Sequence, residues 1–188
     1  MATNWGLSGI GGIATDDLWT VGTVMQHPVR AVTLHYDGHT WQHVPAPTPP
    51  HTAVHISDVV ALASNDVWAG GHHQTSAERG HQPRRQFAMH WDGTSWSTRD
   101  LDDHEGQISQ LATDRGRVFG IGNAGAAPYA TALTGPPLPA LPGPTLSDTA
   151  VRSSLHGATI LSGGALLAVG ATASTRMPLQ PLTALMHP

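Results

Sequence analysis

Thirteen histidines and no cysteine set the chemistry open to this 188-residue chain. Without a thiol there is no disulfide framework and no sulfur-ligated metal, so any metal would need imidazole and carboxylate ligands. Imidazole titrates near pH 6.5, so the same histidines are the natural proton carriers. They gather with acids and arginines in two stretches: His51, His55, His72, His73, His81, Arg84, Arg85 and the run Asp100, Asp102, Asp103, His104 and Glu105, then Asp148, Arg152 and His156. Three uses of such a set compete. It is a band of solvated loops, or a His/carboxylate site for a divalent metal, or a pocket in which His156 or His72 moves a proton while Asp58 or Asp102 orients it. In a pocket or binding surface, His55, His73, Arg84, Asp102, His104 and Arg152 would contact the ligand. The adjacent pair His72 and His73 is a weak metal signal, because no HExxH spacing accompanies it.

Other chemistry is excluded more firmly. There is no nucleophile elbow, phosphate loop or dinucleotide fingerprint; "GIGGIA" (9–14) opens no helix, and its glycines are expected to serve close backbone packing. No organic cofactor is expected. All nine basic residues are arginine against 13 acids, for a net charge of -4 with His neutral. That balance draws the chain to neither nucleic acid nor an anionic membrane. No stretch approaches the ~20 apolar residues of a membrane span, and "MATNWGLSGIGG" has no basic lead into an apolar run, so a cytoplasmic location is expected.

The elements that must position these residues are strands. Short apolar stretches alternate with turn residues, and no apolar pattern of helical period occurs. In the second unit "ISDVVALA" (56–63), "VWAGGH" (67–72), "QFAMHW" (86–91) and "SWSTRD" (95–100) are four strands, with "ND" and "DG" as turns; Asp-Gly favours a tight hairpin. The phrase "NDVWAGG…FAMHWDGTSW" has an earlier copy in "DDLWTVG…TLHYDGHTW". Trp19 and Trp68 stand 49 residues apart, and Trp41 and Trp96 stand 55 apart. Worn copies follow, "ISQLATDRGRVFGIG" with Phe119 at the Trp position and "LHGATILSGGALLAVG" with Leu167 there. Four-stranded units of about 40 to 50 residues match β-propeller blades. The expected fold is an all-β, four-bladed propeller in one domain, with blades at 8–51, 52–106, 107–152 and 153–188 plus 1–7. The segment "GPPLPALPGP" (135–144) is a worn blade edge, where proline blocks further pairing.

"SNDVWAGG…MHWDGTSW" resembles the blade repeat of a large group of bacterial, especially actinobacterial, propeller-repeat proteins, and "HWDGTSW" is more distantly similar to the blade hairpin of fucose-binding lectins, whose repeat is shorter. Neither resemblance implies catalytic residues.

Reading from His187 through Pro188 to Met1 and Trp5 gives "HPMATNW", which matches "HWDGTSW". The N-terminal segment is therefore expected as the outer strand of the last blade, closing a four-bladed monomer or, by exchange between two chains, an eight-bladed homodimer. Residues repeated by blade are expected to be architectural: the tryptophans, the row His35, His90 and His187, and the turns at Asp37 and Asp92. One further row, Ser8, Ser57, Ser109 and His156, holds a single odd member. With Asp58 one residue along, His156 would line the mouth of the channel, where a divalent metal would also sit. Two functions follow from this placement. One is a binding scaffold for a protein, peptide or glycan; the other is a small lyase, cyclase or isomerase acting on a small molecule with His as the proton carrier.

Overall fold

The computed structural model describes residues 4–47, 52–75, 83–99, 101, 105–138, 141, 152–162, 164–173 and 179–186. Within them the chain forms fourteen strands and no helix, as its two-residue alternation requires. Each sheet is an antiparallel meander. The first contains β1 (Trp5–Ala14), β2 (Asp17–Val24), β3 (Arg30–Tyr36) and β4 (Trp41–His43); the second contains β5 (Thr52–Ala63), β6 (Asp66–Thr75), β7 (Arg85–Trp91) and β8 (Trp96–Arg99). The third contains β9 (Gly106–Asp114), β10 (Arg117–Ala124) and β11 (Ala127–Ala132), and the fourth β12 (Arg152–Ile160), β13 (Leu166–Ala173) and β14 (Gln180–Met186). The last two have three described strands each. The chain divides into two compact units, Met1–Glu105 and Gly106–Pro188, each holding two sheets.

In the first unit, the side of the first sheet that carries Trp19 meets the β5 side of the second. Trp19 is fully buried, 5.1 Å from Trp91 and edge-on at 5.3 Å to Trp96, with Val54, Ile56 and Val59 in the same core. Glycine brings the inner strands together: a Cβ on Gly9 would lie 2.8 Å from the Asp58 Cα, and one on Gly11 2.6 Å from the Val59 carbonyl oxygen. The role expected of "GIGGIA" is thus met. The second unit has its own core, built from Phe119, Ile121, Leu155, Leu166, Ala168 and Met186.

One irregularity recurs in all four sheets. The pairing of inner strand with second strand slips after Leu7, Ile56, Ile108 and Leu155, leaving Ser8, Ser57, Ser109 and His156 as the extra residue of a β-bulge. Opposite each bulge stands a glycine, Gly22, Gly71, Gly122 or Gly170, whose Cβ would come within about 2 Å of a carbonyl oxygen of the inner strand. The row read from the sequence is real, and its physical identity is a bulge, a device that re-aims a side chain.

Three expectations are corrected. Trp5 does not begin the outer strand of the last sheet: it pairs with Val24 in β1, and the Met25 N–H donates to the Asn4 carbonyl at 2.9 Å. The long β2 needs an antiparallel partner for its last residues, and residues 4–7 supply it. Leu185, not His187, occupies the position of His35 and His90, because Leu167 pairs with Leu185 as Trp19 pairs with His35. The match of "TALMHP" to "FAMHW" is two residues out of register, which also removes the basis for joining the two ends of the chain. Trp5 and Trp41 are exposed rather than packed between sheets; Trp41 lies against Tyr36 at 5.2 Å.

Candidate functional site

Two kinds of histidine site emerge, and they separate by position in the repeat. The first sits at the hairpin end of the first two sheets. His35 Nε2 lies 2.9 Å from Asp17 Oδ1 with its ring on Trp19, and His90 Nε2 lies 2.9 Å from Asp66 Oδ1 with its ring on Trp68. The Trp68 indole N–H also donates to Asp66 Oδ1, at 2.8 Å. Burial pushes the Asp17 carboxyl up, but hydrogen bonds from Ser64 and His35 outweigh it and hold the group below its ordinary value. The third sheet replaces this Asp, Trp and His by Arg117, Phe119 and Ala132, with the guanidinium 4.7 Å above the Phe ring. The fourth has Ala165, Leu167 and Leu185. A His–Asp pair that repeats, packs on tryptophan and wears away along the chain is a fastener of the sheet. Sequence reasoning put His35 and His90 in this class but missed Asp17 and Asp66, although both stand two residues before the repeated Trp.

The adjoining turns are fastened likewise. Asp92 Oδ1 accepts from the Thr94 hydroxyl and from the Thr94 and Ser95 N–H groups, and these bonds hold its carboxyl down to about 2; Asp37, accepting from the Thr40 and His39 N–H groups, is also at about 2. Gly38, Gly93 and Gly135 follow with positive φ, as their shared place in the hairpin demands.

The sheets are blades of a β-propeller fold. The structure of YCF48 bound to D1 peptide has a TM-score of 0.50 to this chain at 13% identity, covering 95% of this chain and 53% of that one. MPT-4, a mannose phosphorylase from Leishmania mexicana in complex with phosphate ion, gives 0.46 at 14% identity, covering 96% of this chain and 63% of its own. The chain thus spans about half the length of YCF48. No family model matches the sequence and no curated protein sequence does, so the resemblance to bacterial blade repeats rests on the quoted phrases alone.

The second kind of site lies at the opposite end of blade two, away from the hairpin. His55 and His72 are cross-strand partners with rings stacked 4.7 Å apart at 12°. His72 faces Gln86 on its other side, and His73 faces Arg85, next to Arg84. His72 is 8% exposed, and its Nδ1 finds no hydrogen-bond partner among the described residues. Burial, then the nearby His55, Arg84 and His73, lowers its pKa to about 4; burial and Arg84 lower that of His55 as well. Both rings are therefore neutral at pH 7, each with a nitrogen able to donate and another able to accept.

Among the sequence-chosen residues, the structure brings His55 and His72 together, with Arg84 near enough to act on both, while His73 projects from the opposite face of β6, edge-on to Phe87 at 5.9 Å. Asp58, past the bulge on β5, accepts the Val59 N–H at 2.9 Å and borders Gly9. His156 and Arg152 belong to β12 of the other unit; His156 is exposed, its Nε2 2.7 Å from the Ser154 hydroxyl oxygen. Asp102, His104 and also His51, His81 and Asp148 lie outside the described residues. No group of three His or acidic residues is arranged to hold a metal ion among the described residues.

Proposed function

We propose that this chain is a binding module, taking a protein or peptide segment at the end of blade two marked by His55, His72, His73 and Arg84. The observation that carries the reading is the stacked His55–His72 pair beside Arg84: both rings are neutral, and the half-buried His55 keeps ring nitrogens at the end of the blade. A ligand amide or hydroxyl can hydrogen-bond the His55 ring, and a ligand carboxylate suits the Arg84 guanidinium. The propeller fold shared with YCF48, whose structure is bound to a D1 peptide, supports a peptide as ligand. A propeller alone fixes no function, so the site carries the argument. The neutral His72 also favours binding over proton transfer, because a base with pKa near 4 is far from the operating pH of a general base.

The test is a peptide array read with wild type, His55→Phe and Arg84→Ala, backed by calorimetry on the best hit. His55→Phe keeps a ring against His72 and removes both nitrogens. Loss of one ligand hydrogen bond weakens binding about tenfold. Unchanged affinity in both variants sinks the site. Capture of glycans but no peptide on a parallel glycan array would replace the ligand class.

A further inference from the structure

The repeat makes it possible to ask of each blade position how well it is buried in the other copies. At the inner-strand position before the bulge, Ile56, Ile108 and Leu155 are 2%, 0% and 0% exposed, whereas Leu7 is 54% exposed. Three residues on, Val59 and Leu111 are 1% and 3% exposed and Ile10 is 65%. Leu7 and Ile10 share one side of blade one with Trp5, also exposed. In blade two this side is covered by the Trp19 side of blade one. The reverse imbalance is found in blade four. The side that carries Trp19 and Val21 in blade one, and Phe119 and Ile121 in blade three, is buried, but the matching Val169 and its neighbour Leu185 are both exposed. So blade one has an uncovered apolar face of the kind that a preceding blade covers, and blade four has one of the kind that covers a following blade.

We infer that two copies of this chain associate head to tail, the β13–β14 face of blade four in one copy covering the β1 face of blade one in the other, and the reverse. The occupant is a second copy because the missing partner of each face is chemically a blade and this chain displays it. Such a contact is heterologous, joining different patches, and two chains related by a twofold axis make it twice and leave no face open.

The experiment is light scattering and native mass spectrometry of the full chain at micromolar concentration, for wild type, Leu7→Glu/Ile10→Glu and Val169→Arg/Leu185→Arg. The expected result is a wild-type mass twice the 19.7 kDa of the chain and a monomeric mass for each variant, with unchanged strand content by circular dichroism. Mixing the two variants should restore part of the dimer, since the mixed pair keeps one unaltered contact and sets Glu against Arg at the other. A monomeric wild type overturns the proposal. In that case a large fall in the Tm of Leu7→Glu/Ile10→Glu points to closure within one chain, and an unchanged Tm shows faces that no blade covers. A dimer that survives in both variants overturns it equally, because its interface lies elsewhere.

Discussion

His72 is the residue at which the structure departs furthest from an ordinary exposed histidine, and the departure has a thermodynamic signature. Burial, with His55, Arg84 and His73 nearby, lowers its pKa to about 4 from the usual 6.5. The unfolded chain therefore binds a proton between those values that the folded chain refuses. Stability is fully present above about pH 6.5 and is lost as the pH falls towards 4, at up to about 1.4 kcal/mol per pH unit. His55 acts in the same direction. The carboxylates do not obscure this window: Asp37 and Asp92, held at about 2, lose their stabilisation only as the pH drops from near 3.8 towards 2. Urea unfolding at pH 7.5, 6, 5 and 4.5 should show the decline in wild type and a shallower one in His72→Phe; equal slopes would refute the assignment. A second prediction concerns Asp66. Asp66→Ala removes the acceptor of both His90 and the Trp68 indole and should lower stability by about 1 to 3 kcal/mol. Asp114→Ala, an acid outside any such set, serves as the control.

At the scale of the element, the bulge is the feature most dependent on backbone geometry. A Cβ on Gly71 would lie 1.9 Å from the His55 carbonyl oxygen, so Gly71→Ala must force β5 and β6 apart where His55 stacks on His72. The expected cost is about 2 to 4 kcal/mol, with the ring stack lost, measurable as a rise in the His72 pKa by NMR titration. Gly116→Ala is the contrast, a turn glycine at φ 77 with open space around it, which should cost only about 1 kcal/mol. The strands themselves could be read from alternation, and the hairpins from Asp-Gly, because those signals are local. The equivalence of Ser8, Ser57, Ser109 and His156 could be read too, by counting from the repeated glycine. That the row is a bulge could not, since a bulge is a property of pairing between strands and leaves no residue type of its own. Identity alone misleads at "TALMHP": Met186 resembles Met89, yet the pairing of Leu167 with Leu185 puts Met186 opposite Leu166, two residues past the place of Met89.

For the whole molecule, the period of the repeat gave the propeller, while ring closure depended on faces that periodicity cannot weigh. Leu7 and Ile10 look like the core residues Ile56 and Val59 in sequence, and only their exposure marks them as the end of a series. The pairing of His55 with His72 was likewise hidden, because it needs the register of β5 on β6 as well as the two residue types. If two chains share these end faces, folding and association are one equilibrium, and mass action must appear in the melting temperature. Each tenfold rise in concentration adds about 1.4 kcal/mol per dimer. With roughly 0.7 kcal/mol of unfolding enthalpy per residue over both chains, the Tm should climb by about 2 °C per tenfold. Leu7→Glu/Ile10→Glu should melt at a temperature independent of concentration. Scanning calorimetry of both proteins over a hundredfold range separates the cases, because a folded monomer gives a flat line for each, whereas a shared interface tilts the wild type alone.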